Sequence, residues 1–190
     1  STFTTAFFPN FSEMNEFFNI TGAGQEYNNP TQELISLFVP GDTRKEVTVG
    51  VPGGFYDADS VFHALPTSTN QTYTKKYFDS SPVRADSKAN WKVIRYADVL
   101  LMYAEALNEN GKPQQAIPFL NQVRTRAGLE GYPNTMSQTE TRDAIVLERR
   151  LELSFEGVRW FDLVRTGKAY EVMKDKGMAP YMTVFPIPLS

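Results

Sequence analysis

Cysteine is absent from this 190-residue chain, and histidine occurs only once, at His63. The absence of cysteine excludes disulfide bonds, thiolate metal ligands and a cysteine nucleophile, and a single histidine excludes a multi-histidine metal site. The chain also lacks a glycine-rich phosphate loop and a G-x-S-x-G nucleophile sequence. Asp57 and Asp59 resemble the start of a calcium loop whose remaining ligands are missing. We therefore expect neither a metal nor a cofactor.

Basic patches and long apolar runs are also lacking. The formal net charge is -3 and the pI is near 5.3, which argues against a nucleic-acid partner because such binding requires a basic face. No apolar run is long enough to span a bilayer. The chain starts at Ser1 without an initiator methionine or a signal peptide. We expect either a mature protein or a fragment whose targeting signal lies upstream.

The composition changes near residue 90. Residues 1–90 are rich in Thr, Ser, Asn, Gly, Pro and aromatic residues, and frequent glycine and proline breaks make long helices improbable there. We predict loops in this half, with a short helix over residues 31–38 and strands over residues 46–51 and 71–78. Residues 91–190 show helical periodicity instead. A hydrophobic content of 41% is sufficient for one sizeable core.

A helical hairpin is predicted from residues 91–108 and 113–127, joined by a short Asn-Gly-Lys turn. Gly111 follows the first helix in a C-cap position, and Pro113 suits the first turn of the second helix. Pro118 removes a hydrogen bond inside that helix, so we expect a kink or a later start. A lone tetratricopeptide unit cannot bury its own face. The hairpin matches one such unit at Leu100, Tyr103, Ala104, Leu107, Ala116, Leu120 and Val123.

The stretch ERRLELSFEGVRWFDLVRTG, residues 148–167, places arginines between bulky apolar residues. A capping box of Ser137 and Glu140 begins the helix before it, which we predict to run through Phe155 to a break at Gly157. A further helix then runs to Gly167. The apolar residues are typical of a core and the arginines of a salt-bridged face. We expect local ion pairs: Arg159 with Asp162, and Arg149 with Glu152 or Glu156.

Several long motifs occur together: PTQELISLFVPGDTR, WKVIRYADVLLMYAEALNENGK, AIPFLNQVRTRAGL, the arginine-rich stretch and the terminal FPIPLS. In order and spacing they resemble the C-terminal part of SusD/RagB-type outer-membrane nutrient-binding lipoproteins, from about Pro30 to the end. The resemblance implies a mainly α, SusD-like fold, with a tetratricopeptide-type hairpin, further helices, long irregular loops and a few short strands. Residues 1–90 would form a loop-rich ligand-binding region, and residues 91–190 a helical scaffold of the same domain.

The resemblance implies a binding protein and not an enzyme. Such proteins lie on the outer face of the outer membrane, capture oligosaccharide or, in some members, peptide, and deliver it to a SusC-like TonB-dependent transporter. Family members are longer than this chain, and their N-terminal part carries the lipoprotein signal and the lipidated cysteine. The chain therefore resembles a C-terminal portion whose lipid anchor lies outside it.

Under this interpretation the ligand contacts lie in the loop-rich half. Sugars present apolar C–H faces and many hydroxyls, so their sites combine aromatic platforms with amide and carboxylate partners on loops. The stretches GAGQEYNN and GGFYDADS offer both kinds of group beside glycines. An aromatic residue in a loop also commonly anchors that loop to the core, and Trp91 resembles a scaffold position. The candidate ligand contacts are Gln25, Tyr27, Asn28, Phe55, Tyr56 and Asp57.

Two alternatives stay open from the residues alone. A glycoside hydrolase needs two carboxylates across a sugar, which Glu26 with Asp57 or Asp59 could supply. A helical adaptor would instead bind a peptide or protein on the hairpin. Product formation from a glycan would support the first, and loss of binding on substitution of the helical face would support the second.

Overall fold

The structure, a computed structural model, describes residues 28–50, 54–56, 62–64, 72–76 and 92–184, with residues 54–56 and 62–64 described by their backbone only. The chain falls into two compact units, Ser1–Glu152 and Leu153–Ser190. The boundary predicted near residue 90, between a ligand-binding region and a helical scaffold, lies within the first unit. The roles of these two regions stay a prediction.

The first unit opens with two short helices, α1 (Gln32–Leu37) and α2 (Arg44–Thr48). Thr31 caps α1 by accepting the Leu34 N–H at 3.2 Å, which confirms the predicted helix and its N-cap. The strand predicted over residues 46–51 is wrong at its start, because α2 occupies residues 44–48. The residue pattern there suits a half-buried strand, yet Val47 is 64% exposed. Ion pairs of the buried Arg44 stabilise the helical turn instead.

Short antiparallel strands follow. Strand β1 (Val49–Gly50) pairs with β4 (Tyr73–Thr74), and β2 (Gly54–Tyr56) pairs with β3 (Phe62–Ala64). Within the described residues 72–76, the strand predicted over residues 71–78 is reduced to Tyr73–Thr74. The pair of β2 and β3 was not predicted, because its sequence carries the glycines and aspartates of a loop.

The predicted hairpin is present as α3 (Tyr96–Glu109) and α4 (Pro113–Arg126). Gly111 adopts a left-handed φ of 72°, as its turn position requires. Helix α3 starts later than predicted, and Val93 and Ile94 before it are exposed. Helix α4 starts at Pro113 and continues through Pro118, so the expected late start is wrong. Because Pro118 is exposed, water can solvate the carbonyl that its missing N–H leaves free.

Helix α5 (Gln138–Glu152) begins at the predicted capping box. The Ser137 N–H donates to Glu140 Oε2 at 2.8 Å, and the Glu140 N–H donates to Ser137 Oγ at 3.3 Å. The prediction that this helix reaches Phe155 is wrong. It ends at Glu152, and Phe155 has a left-handed φ of 65°, which is incompatible with a continued right-handed helix.

Among its described residues, two hydrophobic clusters stabilise the first unit. The larger one joins α3, α4 and α5 through buried small and branched residues that allow close helix packing. The smaller one packs Phe38 and Val49 on Leu151, which attaches the loop-rich half to α5. The larger cluster comprises Ala97, Leu100, Leu101, Ala104, Ala116, Leu120, Val123, Ala144 and Ile145.

The second unit contains α6 (Arg159–Arg165), α7 (Ala169–Met173) and 3-10 turns at Lys174–Lys176 and Pro180–Thr183. The helix predicted up to Gly167 is confirmed, and Gly167 ends it with a left-handed φ of 69°. Within α6, Arg165 Nη2 lies 2.8 Å from Asp162 Oδ1 at i,i+3 spacing. The Arg159–Asp162 pair stays a prediction.

Candidate functional site

The structure describes only some of the predicted ligand contacts. Gln25, Tyr27 and Asp57 lie outside the described residues, as do the carboxylates Glu26 and Asp59 of the hydrolase alternative. Phe55 and Tyr56 lie on β2, where their Cα partners are His63 and Phe62. Asn28 is exposed and has a left-handed φ of 61°, a conformation that asparagine tolerates better than most residues.

The end of the first candidate stretch meets the end of the segment that carries β2 and β3. Pro30 follows the first stretch and is buried, and its carbonyl accepts a 2.9 Å hydrogen bond from Thr72 Oγ1. Thr72 directly precedes β4, at the end of the segment that carries β2 and β3. The hydrogen bond therefore holds the exit of the GAGQEYNN stretch against the exit of the segment that contains Phe55 and Tyr56.

A buried ion pair of Arg44 attaches the loop-rich half to helix α5. Arg44 binds Asp42 with two hydrogen bonds, Nε to Oδ1 at 2.8 Å and Nη2 to Oδ2 at 2.7 Å. Its Nη1 donates to Glu148 Oε2 at 2.7 Å, across from α2 to α5. Burial opposes the charged form of Arg44, but the hydrogen bonds and charges of Asp42 and Glu148 together outweigh it and raise the pKa of Arg44. A buried arginine so paired is fixed in position.

Glu148 is the centre of this network and is fully buried. Its second oxygen, Oε1, accepts from Arg124 Nη1 at 2.7 Å and from the Tyr132 hydroxyl at 3.2 Å. The Arg124 guanidinium lies 4.2 Å from the centre of the Tyr132 ring, in cation–π geometry. Burial, reinforced by the Glu148 charge, raises the pKa of Tyr132 to about 12. The phenol therefore stays protonated and donates to Glu148 at neutral pH.

The C-terminal end of α5 collects further cations at Glu152. Its Oε1 accepts from Arg95 Nη1 at 2.9 Å and from Arg126 Nη2 at 2.6 Å. Its backbone carbonyl accepts from Lys76 Nζ at 2.6 Å and from Arg95 Nη2 at 3.0 Å. Positive groups at a helix C-terminus stabilise the partial negative charge of the last carbonyls.

The arginines of α5 also make structural contacts. Arg149 Nη1 lies 2.8 Å from Asp98 Oδ1 on α3, and Arg150 makes a two-bond pair with Glu33 on α1. These contacts join different elements, whereas the sequence predicted local pairs. The pair of Arg149 with Glu152 or Glu156 stays a prediction. The missed partners Arg44 and Asp98 carry no local sequence signal for their contacts with α5, because those two contacts depend on tertiary packing.

The described residues contain no group of three or more His, Cys, Asp and Glu side chains arranged to hold a metal ion. Among the helices of those residues, none combines the length and the apolar character required to cross a membrane.

The outward side of α3 is apolar and exposed. Tyr96, Val99, Met102 and Tyr103 are exposed over 72%, 44%, 43% and 50% of their surface, and Ala106 extends the same face. Their spacing of three and four residues puts them opposite the buried side of the helix. The Tyr103 ring packs edge-on against Phe119 of α4, with a 4.7 Å centroid distance. We call these five α3 residues the outer α3 face.

The motifs, the helical hairpin and the small antiparallel strands agree with a family comparison, in which the SusD family profile matches residues 7–184. This chain belongs to the SusD family. A SusD-like protein of Formosa agariphila is 36% identical over 156 residues, which cover 78% of this chain and 28% of that protein. The predicted family is thereby confirmed.

Solved SusD structures are also similar to this chain. A laminarin binding SusD-like protein has 34% identity and a TM-score of 0.61, covering 84% of this chain and 34% of that one. Surface glycan-binding protein A from Bacteroides thetaiotaomicron has 25% identity and a TM-score of 0.69, covering 91% of this chain and 38% of that one. The predicted mainly α, SusD-like fold is confirmed. This SusD-family chain spans between 28% and 38% of the length of these three proteins.

Proposed function

We propose that this chain is part of a surface protein that binds oligosaccharide or polysaccharide without cleaving it. The observation that carries the proposal is the similarity, over most of the chain, to a laminarin binding SusD-like protein and to a surface glycan-binding protein. In this role the protein lies outward-facing on the outer membrane, held by a lipid anchor outside this chain. It delivers the glycan to a SusC-like TonB-dependent transporter.

The different roles of the helices and of the loop-rich half support this proposal. Arg44, Arg124 and Arg149 are used in ion pairs between elements, so the arginine-rich helices act as scaffold. The candidate ligand residues Gln25, Tyr27, Asn28, Phe55, Tyr56 and Asp57 belong to the loop-rich half. Binding residues are commonly carried by such segments on a rigid support.

Native affinity electrophoresis of the whole protein tests the proposal. Gels containing laminarin, starch or xylan are compared with a gel without polysaccharide, and the same mixtures are assayed for new reducing ends. Laminarin comes first because a similar structure is described as binding it. We expect retardation without release of reducing ends. Release would favour the glycoside hydrolase, and unchanged migration in all three gels would contradict glycan binding.

The outer α3 face supports one competing function, a helical adaptor for an amphipathic peptide. Its exposed apolar residues would receive the apolar side of a peptide helix. A charge introduced by Met102→Glu separates the two functions. The adaptor requires this variant to lose its peptide or protein ligand at an unchanged melting temperature. In the glycan-binding protein the effect is on the melting temperature, and the folded variant keeps its migration in the polysaccharide gel.

A further inference from the structure

The segment that carries β2 and β3 begins and ends at one place in the first unit. Strand β1 ends at Gly50 and β4 begins at Tyr73, and these two residues are direct Cα partners. The Lys75 N–H also donates to the Thr48 carbonyl at 3.0 Å, next to the paired strands. The segment between β1 and β4 therefore has adjacent ends. We call this segment the excursion and the β1–β4 pair its base.

The base depends on the absence of a side chain at Gly50. A Cβ atom on Gly50 would overlap the Tyr73 ring. Tyr73 is only 2% exposed, so its ring is enclosed and has little room to move aside. The φ of Gly50 is not in the left-handed region, so the requirement for glycine comes from the close approach of the ring.

Both strands of the base are fastened to the same helix. Arg44 opens α2, which runs directly into β1, and its Nη1 donates to Glu148 Oε2 on α5 at 2.7 Å. Lys76 follows β4, and its Nζ donates to the Glu152 carbonyl of α5 at 2.6 Å. Glu148 and Glu152 are four residues apart, so the two attachments are about one turn apart along α5. The ends of the excursion cannot separate without disturbing a charge-assisted contact.

We propose that Gly50, Tyr73 and Arg44 are positioning residues for glycan binding. They fix the entry and exit of the excursion on α5 and so set the geometry with which the β2–β3 pair meets the glycan. None of them contacts the ligand. This proposal rests on the proposed function, because it assigns the β2–β3 pair to the glycan site.

The test compares Gly50→Ala with wild type in the whole protein. Hydrogen exchange without ligand is expected to rise at residues 54–56 and 62–64, while the amides of α3, α4 and α5 keep their protection. The added methyl group forces the base open, so the Kd for laminarin, or for whichever gel polysaccharide retards the wild type, should rise about tenfold. If Gly50 had only a structural role, Gly50→Ala would lower the melting temperature without a rise in exchange confined to residues 54–56 and 62–64.

Two further variants control the interpretation. Gly111→Ala strains a left-handed turn that has open space around it, so it should lower the melting temperature without changing exchange at β2 and β3 or glycan affinity. The double variant Gly50→Ala with Tyr73→Leu makes room for the methyl group. It should recover part of the lost protection and affinity relative to Gly50→Ala alone.

The outcomes separate the two proposals. Unchanged exchange at residues 54–56 and 62–64 in Gly50→Ala overturns the positioning proposal, with or without a ligand. Raised exchange with unchanged glycan affinity overturns it as well. A wild-type protein that binds none of the polysaccharides contradicts the proposed function, and with it the role of these residues in glycan binding. Localised exchange in Gly50→Ala would then still support closure of the excursion by the base.

Discussion

At the scale of single residues, the molecule depends on one buried carboxylate. Glu148 lies between Arg44 and Arg124 and also accepts from Tyr132, so both of its oxygens are hydrogen-bonded. A fully compensated group of this kind links three elements, α2, α4 and α5, through one side chain. Removal of one charge leaves the others buried and only partly compensated, which is far more costly than loss of a surface pair.

Glu148→Gln should therefore destabilise the protein by about 3–5 kcal/mol, because two arginines lose the charge that compensates their burial. The control is Glu109→Gln, which removes an ion pair with Arg142 in which both side chains are more than 40% exposed. That substitution should cost less than about 1 kcal/mol. Urea unfolding followed by circular dichroism measures both. Equal losses in the two variants would contradict a special role for Glu148.

The aromatic residues of β2 give a second prediction at this scale. If they are platforms for sugar rings, Phe55→Ala and Tyr56→Ala should each weaken glycan binding about tenfold while the melting temperature changes little. Titration calorimetry and thermal unfolding of the same samples measure the two effects. A large drop in melting temperature would identify the substituted residue as a core anchor instead.

At the scale of secondary-structure elements, local signals decided what could be predicted. Helix caps depend only on residues a few positions away, and the helix ends that they predicted agree with the structure. These caps are Thr31, the Ser137–Glu140 box, Gly111 and Gly167. Helix α2 was read as a strand because its ion pairs join it to α5, far away in the chain. The same limit hid the pairing of β2 with β3, and the hydrogen bond that joins Thr72 to Pro30.

The capping box of α5 allows an element-scale prediction with a defined pH dependence. Hydrogen bonds from the Ser137 side chain and backbone hold the pKa of Glu140 below its ordinary value of 4.5. The contribution of the ionised box is therefore complete above about pH 4.5 and is lost as the pH falls through the lower, folded-state pKa. Ser137→Ala should lower the melting temperature by about 2–4 °C at pH 7.

The difference between Ser137→Ala and wild type should shrink as the pH falls below the folded-state pKa of Glu140. Thr139→Ala, at an exposed position of the same turn, serves as the matched control and should cost less. Thermal unfolding from pH 7 down to the acid limit of reversibility gives the comparison. A difference that stays constant over the whole range would show that ionised Glu140 contributes nothing to the cap.

At the scale of the whole molecule, the outer α3 face is an exposed apolar surface of the kind that helical hairpins bury by stacking. Helical hairpins of the tetratricopeptide type stack on one another, since one unit cannot bury its own apolar surface. The chain spans between 28% and 38% of the length of its reported relatives. We therefore expect another helical hairpin of the same fold to cover the outer α3 face in the whole protein.

Methionine oxidation tests this expectation, because Met102 and Met182 are 43% and 45% exposed in this chain. In the whole protein, dilute hydrogen peroxide should oxidise Met102 more slowly than Met182, as read from peptide masses over time. Equal rates would mean that the outer α3 face is open, and would favour the adaptor.

The central claim is that the loop-rich half binds glycan while the helices act as scaffold. Hydrogen exchange of the whole protein, with and without the polysaccharide that retards it in the gel, measures this directly. We predict that the glycan adds protection at residues 25–29 and 54–64 and leaves α3, α4 and α5 unchanged. Protection concentrated on α3, with none in those two stretches, would contradict the account.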